Sequence, residues 1–302
     1  MAPSTSPLDP AVLDRLAGLD FVARRVVEGV LAGMHRSPHH GSSVEFAEHR
    51  EYVPGDEVRH VDWKIFAKSN RVVVKEYIEE TNLACHILVD ASESMAFRSL
   101  SWSKFDYARW CAASLAHLVL SQRDSAGLVI YDSEAVDKVP PGSGAAQKAG
   151  IINALERAEP KGATRVGEVL GWIGTRLRRR GIVAVFSDLF DDPDQIVAGM
   201  RRLVHAGHEP ILFQIVDPQE LDFDYTGYLR LEGLEGTGRM KIDPRAIRAA
   251  YREEFKKHTA LLKKNARSLS VDLVQIRTST PLDVALSTYL SRRAARARSG
   301  HA

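Results

Sequence analysis

Asp90-Ala91-Ser92-Glu93-Ser94 places one carboxylate and two hydroxyls at alternate positions, directly after the apolar run Ala84-Cys85-His86-Ile87-Leu88-Val89. Two later segments repeat this chemistry. Gly162-Ala163-Thr164 precedes a helical pattern, and Ser187-Asp188 ends the apolar run Ile182-Val183-Ala184-Val185-Phe186. Asp90, Ser92, Ser94, Thr164 and Asp188 offer hard oxygens only, a set suited to Mg²⁺, Mn²⁺ or Ca²⁺ and poorly suited to zinc. Five such oxygens leave one of about six positions open on a magnesium ion, for water or for a carboxylate from another protein. With only two formal charges in the set, the cation would stay electrophilic toward that carboxylate. The competing reading of the first motif is that Asp90 and the serines cap the next helix.

The elements that must position these residues alternate along the chain. Short β-branched and apolar runs at 84–89, 127–131, 182–187, 210–216 and 271–276 read as strands, most of them buried on both faces. Helical patterns fall at 103–122, 145–157, 166–179, 193–206, 244–268 and 281–296. A short strand at 135–139 is expected to end in the turn Pro140-Pro141-Gly142-Ser143-Gly144, and residues 228–242 read as an inserted hairpin. The fold expected is α/β, a doubly wound, mostly parallel sheet of Rossmann type with helices on both faces. Ligands of such sheets bind at the carboxyl ends of the strands, and strands 84–89 and 182–187 as neighbours would bring Asp90 and Asp188 side by side. Residues 1–81 read as an N-terminal extension: a helical stretch over 9–34, turn-rich sequence, then a strand over 72–78. Residues 82–302 form the main domain.

With these elements in order, the chain resembles von Willebrand factor A-type domains with a metal-ion-dependent adhesion site. Their signature is Asp-x-Ser-x-Ser, then a Thr, then an Asp. The segment Phe46-Ala47-Glu48-His49-Arg50-Glu51-Tyr52-Val53-Pro54-Gly55-Asp56-Glu57-Val58-Arg59-His60-Val61-Asp62-Trp63-Lys64 is also similar to the signature of a bacterial domain-of-unknown-function family. Members of that family carry the adhesion-type domain and are typically encoded beside MoxR-type AAA+ ATPases. The resemblance spans about Gly41 to Asp188. It implies a non-enzymatic, metal-dependent adaptor for such an ATPase, helping to remodel or mature a client complex. Many relatives carry N-terminal membrane helices, and no such segment is evident here. The upstream motif has two readings. Arg50, Asp56, Arg59 and Asp62 could form an ion network beside Trp63 that locks the segment in place, or the segment could face a partner.

Composition excludes several alternatives. A formal net charge of +2 gives no electrostatic case for nucleic acid, and the basic tail Arg292–Arg298 reads as a solvated helix end. Cys85 and Cys111 lie in apolar runs and read as reduced core residues, so the protein is expected in the cytoplasm. No signal peptide or spanning segment is evident, since Phe21–Met34 is interrupted by Arg24, Arg25 and Glu28. GxxxxGK[ST], HExxH and GxSxG are all absent. The alternative function is a Mg²⁺-dependent hydrolase using the same carboxylates, which would need an activating base that the sequence does not display.

Overall fold

A computed structural model describes residues 18–35, 49–52, 63–69, 71–75, 84–133, 135–163, 165–177, 180–225, 229–232 and 239–289. The elements in chain order are α1 (Leu19–His35), β1 (His49–Glu51), α2 (Trp63–Ser69), β2 (Val73–Lys75), β3 (Ala84–Asp90) and α3 (Lys104–Ser121). They continue with β4 (Ser125–Tyr131), β5 (Ala135–Gly142), α4 (Gly144–Arg157), α5 (Val166–Arg176), β6 (Gly181–Ser187) and α6 (Pro193–His205). The last are β7 (Glu209–Val216), α7 (Pro218–Asp222), β8 (Leu229–Glu232), β9 (Arg239–Ile242), α8 (Pro244–Ser268) and β10 (Asp272–Arg277), followed by helical residues 282–289.

The chain divides into two units, Met1–Arg36 with Leu83–Ala302, and Ser37–Asn82. In the smaller unit β1 pairs antiparallel with β2, and Trp63 meets Phe66 edge-on within α2. Asp56, Arg59 and Asp62, three of the four charges of the expected ion network, lie outside the described residues.

The larger unit is built on one six-stranded sheet in the order β10-β7-β6-β3-β4-β5. Every neighbouring pair is parallel except β4 and β5. This is the mostly parallel α/β sheet that the alternating pattern implies. β3 is buried along its whole length, as a strand covered by helices on both faces must be. Its side chains alternate between two cores. Cys85, Ile87 and Val89 face a cluster supplied by α1, α3, α4 and residues 282–289, while Leu88 faces one supplied by α5, α6 and α8. Stacked rings of Phe186 and Phe213, with centroids 4.7 Å apart, fasten β6 to β7. β8 and β9 form the hairpin expected near 228–242.

One expectation is corrected. Pro140 and Pro141 do not end the hairpin in a turn but lie inside β5, which runs to Gly142. β5 is the sheet edge, where one side of the backbone needs no ladder partner, so prolines are accommodated. The pairing shifts register between Ala126 and Leu128, and a Cβ on Gly127 would come 2.9 Å from Pro141, so glycine permits the close approach. The helix expected over 166–179 ends at Arg176, and the final helix is described only to 289.

Candidate metal centre

The chain runs outward from β3 in one direction through β4 and β5, then returns to the other side of β3 with β6. The carboxyl ends of β3 and β6 therefore flank the point where the strand order reverses, the place where open α/β sheets hold ligands. Asp90 is the last residue of β3, and Asp188 follows the last residue of β6. Both are fully buried.

Four of the five expected residues converge there. Asp90 Oδ1 accepts the Ser92 backbone N–H at 2.9 Å, a turn that brings the two serine hydroxyls to the same side. Ser92 Oγ and Ser94 Oγ lie 3.1 Å apart, and Ser94 Oγ donates to Asp188 Oδ2 at 2.8 Å. Ser92 is fully buried and Ser94 half-buried, so the group opens toward solvent on the Ser94 side. The fifth residue, Thr164, lies outside the described residues. The loop before it is tied to the first motif, with Glu93 N–H donating to Gly162 O at 2.9 Å and Lys161 N–H to Ala91 O at 2.7 Å.

The capping alternative fails for Ser92. It precedes a single 3₁₀ turn, Glu93–Ala96, and its side chain makes no capping hydrogen bond. The following helix α3 is capped by Ser103, which exchanges hydrogen bonds with Asp106 in a capping box. The Ser92 hydroxyl is thus not committed to a helix end.

Several partners of the site were not singled out from sequence. Ser187 Oγ donates to Asp90 Oδ2 at 2.6 Å and accepts the Leu189 N–H, holding the carboxylate from behind. Lys104, the first residue of α3, reaches inward so that Nζ lies 2.7 Å from Asp188 Oδ2 and 2.5 Å from Glu220 Oε1. Glu220 stands on α7, whose start is capped by Asp217; Asp217 in turn accepts Ser99 N–H and Ser99 Oγ–H. The beginning of α3 is fixed by hydrogen bonds from Trp102 Nε1 to Thr278 O and from Tyr107 Oη to Thr280 O.

Electrostatics distinguish the groups. Burial, then the Asp188 charge beside it, push the Asp90 carboxyl well above the usual carboxylate range. Burial works to lower the Lys104 ammonium, but Asp188 and Glu220 more than offset it and hold the group charged. Burial raises Glu220, with Lys104 opposing. Asp90, Asp188 and Glu220 carry three carboxylates against one ammonium, a local excess of negative charge in a buried setting. The excess and the all-oxygen donor set fit a hard divalent cation, which Asp90, Ser92, Ser94 and Asp188 would hold. Among the described residues no group of three or more His, Cys, Asp or Glu side chains is placed to hold a metal ion by itself, so the hydroxyls of Ser92 and Ser94 would have to complete the set. No helix among the described residues is long and apolar enough to cross a membrane.

Comparison with known proteins places the chain. An uncharacterised protein of Mycobacterium tuberculosis, Rv1480, is 26% identical over 298 residues, covering 97% of this chain and 93% of that protein. Among solved structures, BatB from Bacteroides thetaiotaomicron is 16% identical with a TM-score of 0.49, covering 70% of this chain and 99% of that one. The SpRpn10 VWA domain is 13% identical with a TM-score of 0.41, covering 68% of this chain and 93% of that one. Residues 48–261, most of the chain, match the family model described as protein of unknown function DUF58, and the chain belongs to that family.

Proposed function

We propose that this chain is a non-enzymatic, metal-dependent protein-binding adaptor with an adhesion-type site formed by Asp90, Ser92, Ser94, Thr164 and Asp188. The observation that carries the reading is the convergence of Asp90, Ser92, Ser94 and Asp188 at the reversal of strand order, with the Ser92 side chain making no capping hydrogen bond. Mg²⁺ is the cation of first choice, with Mn²⁺ or Ca²⁺ as chemical equivalents. Bound there, the cation supplies an electrophilic centre for a Glu or Asp side chain of a partner. One such contact gives specificity and a switch, while surrounding loops provide most of the buried area. The binding role is favoured over hydrolysis because Lys104, a basic group against the site, is held by two carboxylates and is not available to activate a nucleophile. The resemblance seen in the sequence points to a MoxR-type AAA+ ATPase, or its client, as the partner.

Association of the full chain with a purified MoxR-type AAA+ ATPase tests the reading. Binding is expected in Mg²⁺, and is expected to be lost in chelator and in the double variant Ser92→Ala, Ser94→Ala. Binding indifferent to both would make the site structural.

A further inference from the structure

Lys104 occupies an unfavourable place unless it has a task. It begins α3, where the positive end of the helix dipole repels a cation, and its side chain is only 1% exposed. The ammonium is nonetheless buried between Asp188 and Glu220, with the faces of Phe190 and Phe97 at 5.1 and 5.8 Å. The atom it holds matters most. Asp188 Oδ2 accepts both from Lys104 Nζ and from Ser94 Oγ, so the oxygen that faces the serine hydroxyls is the one bound to the ammonium.

We propose that Lys104 is a built-in cation that competes with a divalent metal for Asp188, and that Glu220 sets the strength of that competition by drawing the ammonium away from Asp188. The inference rests on the reading of Asp90, Ser92, Ser94 and Asp188 as a divalent-cation site. It gives the chain a way to tune that site from within. With Lys104 pulled toward Glu220, Asp188 presents more of its charge to the metal. With Glu220 neutral or engaged elsewhere, Lys104 settles on Asp188 and the metal is held more weakly. Glu220 is the more accessible partner, its side chain 12% exposed against 0% for Asp188, so a binding event at the surface would act through it.

The two neighbours are predicted to have opposite effects on metal affinity. Mn²⁺ binding to the full chain is measured by calorimetry for wild type, Lys104→Met, Glu220→Gln and Asp90→Ala. Melting in chelator and in Mn²⁺ is followed for each. Lys104→Met should bind Mn²⁺ about tenfold or more tightly than wild type, as removal of a unit charge beside a bound dication requires. Its melting temperature should fall in chelator and rise further on adding Mn²⁺ than that of wild type. Glu220→Gln should bind several-fold more weakly, and Asp90→Ala should not bind. Equal or weaker affinity in Lys104→Met, with binding abolished in Asp90→Ala, would overturn the inference and leave the cation site standing. No Mn²⁺ binding by either wild type or Lys104→Met would overturn the site itself. Should Lys104→Met not fold in chelator, Glu220→Gln decides alone, and an affinity equal to that of wild type would overturn the inference.

Discussion

Ser187 Oγ donates a 2.6 Å hydrogen bond to Asp90 Oδ2 across the boundary between β6 and β3. The contact joins residues 97 apart in sequence and holds one carboxylate oxygen while the Ser92 N–H holds the other. The same hydroxyl accepts the Leu189 N–H at 2.9 Å, so one side chain orients both the Asp90 carboxylate and the backbone around Asp188.

Ser187→Ala should therefore weaken metal binding although Ser187 is not one of the expected ligands. The loss should be about tenfold to a hundredfold, as for other groups that orient a ligand from behind. The substitution leaves a buried N–H and a buried carboxylate oxygen each short of a partner, and should cost about 1–3 kcal/mol of folding free energy. Calorimetry with Mn²⁺ and urea denaturation measure the two effects separately.

Asp90→Asn should abolish metal binding and stabilise the protein in chelator. Asparagine keeps an oxygen to accept the Ser92 N–H and turns an amide N–H toward Ser187 Oγ, which accepts in place of donating, while the charge that faces Asp188 is removed. Burial and Asp188 raise the Asp90 pKa from 3.8 to about 7, so the folded state takes up this proton more readily than the unfolded chain. The cost of the charge is absent well below pH 4, grows as the pH rises, and is fully present above about 7. The advantage of Asp90→Asn should thus be greatest, on the order of 1–3 kcal/mol, at pH 8 and should vanish toward pH 4. Denaturation with chelator across that range checks both sign and window.

Gly167 and Gly150 make a matched pair of helical glycines. A Cβ on Gly167 would lie 2.4 Å from the Gln195 carbonyl carbon, so α5 and α6 approach at a distance that only glycine allows. Its N–H also donates to Asp191 Oδ2 at 3.0 Å, linking the start of α5 to the segment after Asp188. Gly167→Ala should destabilise by about 1–3 kcal/mol, because backbone must move. At Gly150 the nearest atom is a Val139 methyl carbon at 3.8 Å, and Gly150→Ala should stabilise α4 by about 0.5–1 kcal/mol. Thermal or urea unfolding of the two variants should give opposite signs.

The sheet and the placement of Asp90 and Asp188 at strand ends were legible in the sequence for a common reason. Strands buried on both faces are short apolar runs, and a carboxylate at the end of such a run stands out; Asp90 and Asp188 are both marked this way. Pro140-Pro141-Gly142 was misleading, because a proline pair reads as a turn unless the strand is known to be an edge, and edge status is a property of the whole sheet. Lys104 and Glu220 were hidden because Lys104 meets Asp188 and Glu220 across 84 and 116 residues of chain. The one local sign was a lysine at the first position of a helix, against the helix dipole. Such a conflict between local preference and position marks a residue with a role elsewhere in the structure.

The N-terminal helix offers the last test. Leu19, Val22, Ala23 and Val26 of α1 are buried in the same cluster as Ala108, Cys111 and Ala112 of α3, and Leu19 N–H donates to Glu156 of α4. The sheet unit therefore draws on residues that precede the segment Ser37–Asn82 in the chain. A fragment of residues 83–302 lacks α1 and exposes the apolar face of α3 and α4 that it covers. Each of the larger buried side chains lost is worth about 1.5–3 kcal/mol, enough together to approach the whole stability of an ordinary domain. The fragment should melt well below the full chain or aggregate. Val22→Asp, which puts a charge at a position only 1% exposed, should reproduce much of the effect with every other residue present. Melting of the three proteins decides the matter. A fragment that melts with the full chain would mean that α1 is dispensable to the sheet, and Val22→Asp would then be expected to be equally silent.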